Sequence, residues 1–127
     1  MVFWSGSSDW ILSLLLVAVA VHSLGVGGVL IARPVRIMRW MGFSVREEPF
    51  FPFQGGVFHL ILAVCYLWGA IDPEAYPELV LFAVVAKMAA ACFLLAFHFF
   101  LSKRWVVFAS GLGDGAMGLA VLICFMF

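Results

Sequence analysis

The stretch "WILSLLLVAVAVHSLGVGGVLIA", residues 10–32, runs for 23 positions without a Lys, Arg, Asp or Glu. About 20 helical residues cross the hydrocarbon core of a bilayer, so this stretch is long enough for one transmembrane helix. Three more long apolar runs follow, and none shows the period-two alternation of a barrel strand. The pattern predicts an all-α polytopic membrane protein. We expect a single domain over residues 1–127. This domain should be an antiparallel bundle of four transmembrane helices, at residues 10–32, 54–71, 78–101 and 105–126.

The composition agrees with a membrane protein. Apolar residues make up 66% of the chain and charged residues only 11%, which is far from the mixture typical of soluble domains. The formal net charge is zero and no run of like charges occurs, so we expect no nucleic-acid partner. Cys65, Cys92 and Cys124 all lie inside apolar runs, where free cysteines usually serve as packing residues.

The loops predict an orientation in the membrane. The first loop is rich in arginine and the third contains Lys103 and Arg104, whereas the charged residues of the second are all acidic. Basic loops are retained on the cytoplasmic side, so we expect both termini to lie outside the cytoplasm. The membrane is expected to be the cytoplasmic (inner) membrane of a bacterium. No Lys or Arg precedes the first helix, which we therefore expect to be retained rather than cleaved as a signal peptide. The basic residues of the first loop are Arg33, Arg36, Arg39 and Arg46.

The first loop has a pattern of its own. In "RPVRIMRWMGF", residues 33–43, a proline at the start and apolar residues between arginines predict a short interfacial helix. This helix could be a topological anchor or a specific site for a lipid or a protein partner. The following segment, "EEPFFPF" at residues 47–53, is expected to interrupt helix at both prolines.

Each predicted helix contains one ionisable residue near the middle of the bilayer. At about 1.5 Å per residue, His22 and Asp114 lie about 15 and about 14 Å from the cytoplasmic side, and His59 and Lys87 about 8 and about 21 Å. A central Asp or Lys costs at least about 2.5 kcal/mol in hydrocarbon, so these side chains should face inward and find partners. We expect Lys87 and Asp114 to form an ion pair, which could act in ligand or proton binding or only fix the helix register.

Helical spacing adds three polar residues to this interior. Ser110 lies one turn before Asp114, Tyr66 lies two turns after His59, and Gln54 begins the second predicted membrane helix. His22 and His59 could alternatively hold haem b as its two axial ligands. The sequence shows no His or Cys residues at the spacing of a metal site. The candidate ligand-binding residues are therefore His22, His59, Lys87, Asp114, Tyr66, Ser110 and Gln54, and no catalytic residue is assigned.

Four segments together resemble a known group of proteins. These are "GVGGVLIARPVRIMRWMGF" at 25–43, "FPFQGG" at 51–56, "VVAKMAA" at 84–90 and "GDGAMG" at 113–118. The combination resembles small four-helix bacterial membrane proteins related to the DoxX family. The resemblance implies a four-helix fold and an association with membrane redox systems, including the small subunit of a thiosulfate to quinone oxidoreductase. It implies no catalytic residues.

Two functions remain open at this point. In the first, a polar pocket near mid-membrane binds an amphipathic small molecule such as a quinone or a lipid, within a membrane redox system. In the second, the chain is a non-catalytic accessory or assembly subunit that packs against other membrane proteins or further copies of itself. The packing surfaces would be two stripes of small residues, Gly25, Gly27 and Gly28 on the first predicted helix and Gly111, Gly115 and Gly118 on the fourth. Whether the protein is an enzyme is left open by the sequence.

Overall fold

The described residues form one short and four long helices. The computed structural model describes residues 9–44 and 48–127, so Arg46 and Glu47 of the first loop lie outside the described residues. The four long helices have the length and apolar character needed to cross a membrane, which indicates a multi-pass membrane protein. No strand occurs in the described part of the chain. The helices are α1 (Asp9–Ala32), α2 (Pro34–Trp40), α3 (Phe50–Ile71), α4 (Pro77–Phe100) and α5 (Trp105–Met126).

Three of the long helices begin and end within one residue of the predicted bounds, but α3 starts four residues earlier, at Phe50. The expectation that Pro52 interrupts helix was wrong. Pro52 lies in the first turn of α3, where a backbone N–H has no acceptor within the helix, so the missing donor has no consequence. The first hydrogen bond of this turn joins the Phe53 N–H to the Pro49 carbonyl oxygen at 3.0 Å.

Helix α2 begins with Pro34 directly after α1 and ends in a turn that requires glycine. Gly42 has φ +87°, a conformation that side chains other than glycine rarely adopt. The Gly42 and Phe43 N–H groups donate to the carbonyl oxygens of Arg39 and Met38, both at 2.9 Å. The Arg104 guanidinium lies 4.5 Å from the centre of the Phe43 ring, so the end of α2 is held against the α4–α5 connection.

Close approach at glycines brings the long helices together in pairs. Helix α1 packs mainly against α3, and α4 packs mainly against α5. A Cβ atom at Gly27 would lie 2.8 Å from the Gly56 carbonyl oxygen, and one at Gly56 would lie 2.9 Å from the Gly27 carbonyl oxygen. In α5, Gly111 and Gly118 lie close to side chains of α4, at Leu95 and Met88. Small residues therefore allow the backbones to touch, as in many membrane helix pairs.

The best-packed part of the bundle is the half farther from α2, which we call the closed half. Its buried cluster comes from the first part of α1, the last part of α3, the first part of α4 and the last part of α5. Tyr66 and Leu16 are fully buried there. We call the remaining half, next to α2, the open half. The closed-half cluster comprises Leu12, Leu16, Val19, Ala20, Tyr66, Ala70, Val80, Ala83, Val84 and Val121.

Candidate ligand-binding site

The open half contains a cavity of about 540 Å³. Its walls come from the last part of α1, from α2, and from the first parts of α3 and α5, with one residue of α4. This volume is in the range of small-molecule sites, about 300–1,000 Å³, and the walls are mostly apolar as such sites usually are. Its larger apolar side chains include Val29, Leu30, Met38, Trp40, Phe51 and Leu94.

The polar side chains of the cavity are concentrated at its inner end. Along α1 the lining residues run from His22 to Leu30, along α3 from Phe51 to His59, and along α5 from Val106 to Asp114. On each of these helices the lining residue farthest from α2 is the ionisable one. Ser110 lies one turn from Asp114 on the same wall. The cavity is therefore apolar beside α2 and polar at its inner end.

A buried ion pair forms the floor of the cavity. The Lys87 ammonium donates to Asp114 Oδ1 at 2.7 Å, and Lys87 is only 3% exposed. The pair predicted from the sequence is thus confirmed. Asp114 lines the cavity, whereas Lys87 approaches from behind it on α4. The attraction between the two charges offsets much of the cost of taking each out of water, which is what allows both residues to lie in an apolar bundle.

His22 completes this arrangement. Its Nδ1 atom lies 3.3 Å from the Lys87 ammonium nitrogen. An ammonium group has donors only, so Nδ1 must accept, and the proton of the neutral ring is then on Nε2. The opposite edge of the ring faces away from Lys87, and His22 lines the cavity. His22 therefore offers an N–H donor that no side chain of the ion pair uses.

His59 stands on the opposite wall, on α3. Its Nδ1 is buried without a hydrogen-bond partner, and among the described residues only Ser23 Oγ shares this condition. A charged ring there would be a partly buried positive charge without a partner, which is more costly than a neutral ring, so the neutral form suits this position. The structure thus brings His22, His59, Ser110 and Asp114 to one cavity and places Lys87 in contact with two of them.

Two predicted site residues lie elsewhere. Tyr66 is 1% exposed within the closed half and does not line the cavity. Gln54 is exposed and also does not line it. The third histidine, His98, has Nδ1 3.0 Å from the Arg104 carbonyl oxygen, to which it donates. Helical spacing correctly placed Ser110 and Asp114 on one face of α5. On α3 it did not distinguish His59, which lines the cavity, from Tyr66, which lies in the core.

Sequence reasoning missed the contribution of α2 to the cavity. Ile37, Met38, Trp40 and Met41 all line it, and Trp40 also contacts Trp105 of α5 edge to face, with ring centres 6.1 Å apart. The available signal was the apolar spacing between the arginines of this segment, which we interpreted as an interfacial anchor or as a site for a lipid or a protein partner.

The site offers imidazoles but no ready metal centre. Within the described residues, no three His, Cys, Asp or Glu side chains lie together as ligands of one ion would. The two cavity histidines are the residues that the haem hypothesis names, and an absorption spectrum is the direct test of it.

No protein-family model, curated protein or solved structure shows a significant similarity to this chain. The resemblance to the DoxX family therefore stays a prediction based on the four quoted segments.

Proposed function

We propose that the protein binds an amphipathic small molecule, of the quinone or lipid type, in the cavity of the open half. The polar head would contact His22, His59, Ser110 and Asp114, and the apolar part would lie against Val29, Leu30, Met38 and Phe51. The observation that carries this proposal is the order of the lining, polar at the inner end and apolar beside α2. An amphiphile has the same order of polarity. A place in a membrane redox system rests on the DoxX resemblance.

A purely structural role for the ion pair explains less of the arrangement. Fixing the register of α4 against α5 requires only Lys87 and Asp114, which already satisfy each other. It requires neither a cavity of about 540 Å³ nor two histidines on other helices that line it. A concave, mostly apolar space of this size with a few polar groups at one end is the usual form of a small-molecule site, so it favours an occupant.

We further propose how the protein lies in its membrane. The four long helices cross it in an antiparallel bundle, and α2 lies at the interface, since Arg36, Arg39 and Trp40 are exposed. The basic loops support a cytoplasmic position for α2, with both termini outside. A bacterial inner membrane rests on the DoxX resemblance. Reporter fusions to the two termini test this orientation, and a cytoplasmic signal from either terminus would contradict it.

Two glycines of α1 provide a matched test of ligand binding. A Cβ atom at Gly25 or at Gly28 would meet nothing within 4 Å, so a side chain can start at either position without a clash at its first atom. Only Gly25 lines the cavity. We expect Gly25→Leu to lower the amount of co-purified small molecule about tenfold, because overfilling a site costs about 1–3 kcal/mol. Gly28→Leu should retain the wild-type amount.

The measurement is native mass spectrometry of each purified variant, with chemical identification of the released small molecules. Equal occupancy in Gly25→Leu and Gly28→Leu would show that the bound molecules lie outside the cavity. If the wild type carries no small molecule and instead co-purifies with other membrane polypeptides, the accessory-subunit function would replace the one proposed.

A further inference from the structure

The charges around the cavity restrict the chemistry of its ligand. Resting on the proposed function, we propose that the headgroup is uncharged and contains an oxygen that accepts a hydrogen bond from His22 Nε2. The ligand class is thus a neutral amphiphile with a hydroxyl, ester or ketone oxygen, and amphiphiles with sulfate, phosphate or ammonium heads are excluded. His22 is the residue that determines this specificity.

The first argument is charge balance. Asp114 is the acidic residue of the cavity lining, and the Lys87 ammonium already neutralises it at 2.7 Å. None of the described arginines lines the cavity, and Lys103 does not line it either. An anionic or cationic headgroup at the inner end would therefore have no counter-charge of its own in a largely apolar bundle. Such an unpaired charge is strongly disfavoured inside a membrane.

The second argument is the hydrogen-bonding capacity that remains. The contact with Lys87 at 3.3 Å occupies His22 Nδ1 and leaves the Nε2 proton as a donor. Ser110 adds a hydroxyl that either donates or accepts. An oxygen that accepts from Nε2–H pairs with a donor that Lys87 and Asp114 leave unused, without altering the charge of the site. A neutral headgroup with an oxygen can accept this hydrogen bond, whereas the end of a hydrocarbon chain cannot.

Three oleyl amphiphiles with the same chain but different heads test the charge. Monoolein is uncharged, whereas oleyl sulfate and oleyltrimethylammonium have charges that do not titrate. We measure the binding of each to the full-length wild-type protein in mild detergent by native mass spectrometry. Monoolein should bind at least about tenfold more tightly than either charged amphiphile. Oleyl sulfate or oleyltrimethylammonium binding as tightly as monoolein would overturn the headgroup inference and leave the proposed function intact.

Variants of His22 test the hydrogen bond. His22→Leu removes both ring nitrogens and should weaken monoolein binding about tenfold, with no such change for the charged amphiphiles. His22→Gln retains an acceptor for Lys87 and an N–H donor, so it should bind monoolein within about threefold of wild type. Val21→Leu, at an exposed neighbouring position that does not line the cavity, is the control.

The outcomes distinguish the role of His22 in headgroup binding from the proposed ligand-binding function itself. If His22→Gln loses monoolein as fully as His22→Leu, His22 only maintains the local packing, and its role as headgroup donor is overturned. If none of the three amphiphiles, nor any co-purified small molecule, occupies the wild-type protein, the proposed function itself fails. Tighter binding of monoolein, lost in His22→Leu and retained in His22→Gln, supports the inference.

Discussion

The two halves of this bundle contain similar apolar residues, but the closed half is tightly packed and the open half contains a cavity. In the closed half, Leu16, Tyr66 and Val121 fill the space between the four long helices. In the open half, a cavity of about 540 Å³ remains between similar apolar helices. Apolar composition therefore decides that the chain enters a membrane, but it does not decide where the helices pack tightly. That depends on what lies opposite each small residue.

Glycines of α1 show this difference within one turn of helix. Gly27 lies against the backbone of α3, where an added Cβ atom would be 2.8 Å from the Gly56 carbonyl oxygen. Gly25, two positions earlier, lines the cavity, and a Cβ atom there would meet nothing within 4 Å. One glycine brings two helices together, and the other leaves room for a ligand.

The ion pair lies where the two halves meet. On α4, Lys87 follows the closed-half residues Ala83 and Val84 by one turn, and its partner Asp114 lines the cavity. We expect Lys87→Met to have the largest effect on stability, because it leaves the Asp114 carboxylate without its counter-charge. The loss in the free energy of unfolding should be about 4 kcal/mol, measured by denaturant titration in mixed micelles.

The control for this prediction is the double variant Lys87→Met with Asp114→Leu. It removes both charges and should regain most of the lost stability, since replacing a whole buried pair by apolar residues is often neutral. A Lys87→Met protein that unfolds at the wild-type denaturant concentration would show that the ion pair does not stabilise the bundle.

Gly27→Leu should have the second largest effect. The new side chain meets the Gly56 carbonyl oxygen and the Cβ of His59, and a backbone atom cannot move aside as a flexible side chain can. We expect a loss of about 3 kcal/mol in the free energy of unfolding. Gly25→Leu, with open space at the same helix, should lose less than about 1 kcal/mol in the same titration. Equal losses would mean that the two glycines do not differ in packing.

The smallest predicted effect compares one valine from each half of α1. Val19 is 2% exposed in the closed half, whereas Val29 is 43% exposed and lines the cavity. Val19→Ala opens a void that neighbouring side chains cannot fill and should cost about 1.5 kcal/mol. Val29→Ala only enlarges an existing space and should cost less than about 0.5 kcal/mol. A larger cost for Val29→Ala would contradict the division into a closed and an open half.

The sequence predicted the membrane helices well because a long apolar run has few alternatives. It also predicted the contact between Lys87 and Asp114, since two opposite charges in hydrocarbon must pair. It did not predict the position of Tyr66, because the period of a helix specifies a face but not which residues on the partner helix lie opposite. The role of α2 in the cavity wall was missed for the same reason, as the apolar face of a short helix suits lipid and protein equally.

The central claim is that the open half holds a small molecule. The most direct measurement is native mass spectrometry of the protein gently extracted from the membrane in which it is made, with an absorption spectrum of the same sample. We predict a chain that carries one amphipathic molecule in stoichiometric amount and shows no Soret band. A chain that is free of small molecules and accompanied by other membrane polypeptides would contradict the claim, and a Soret band would identify haem as the occupant.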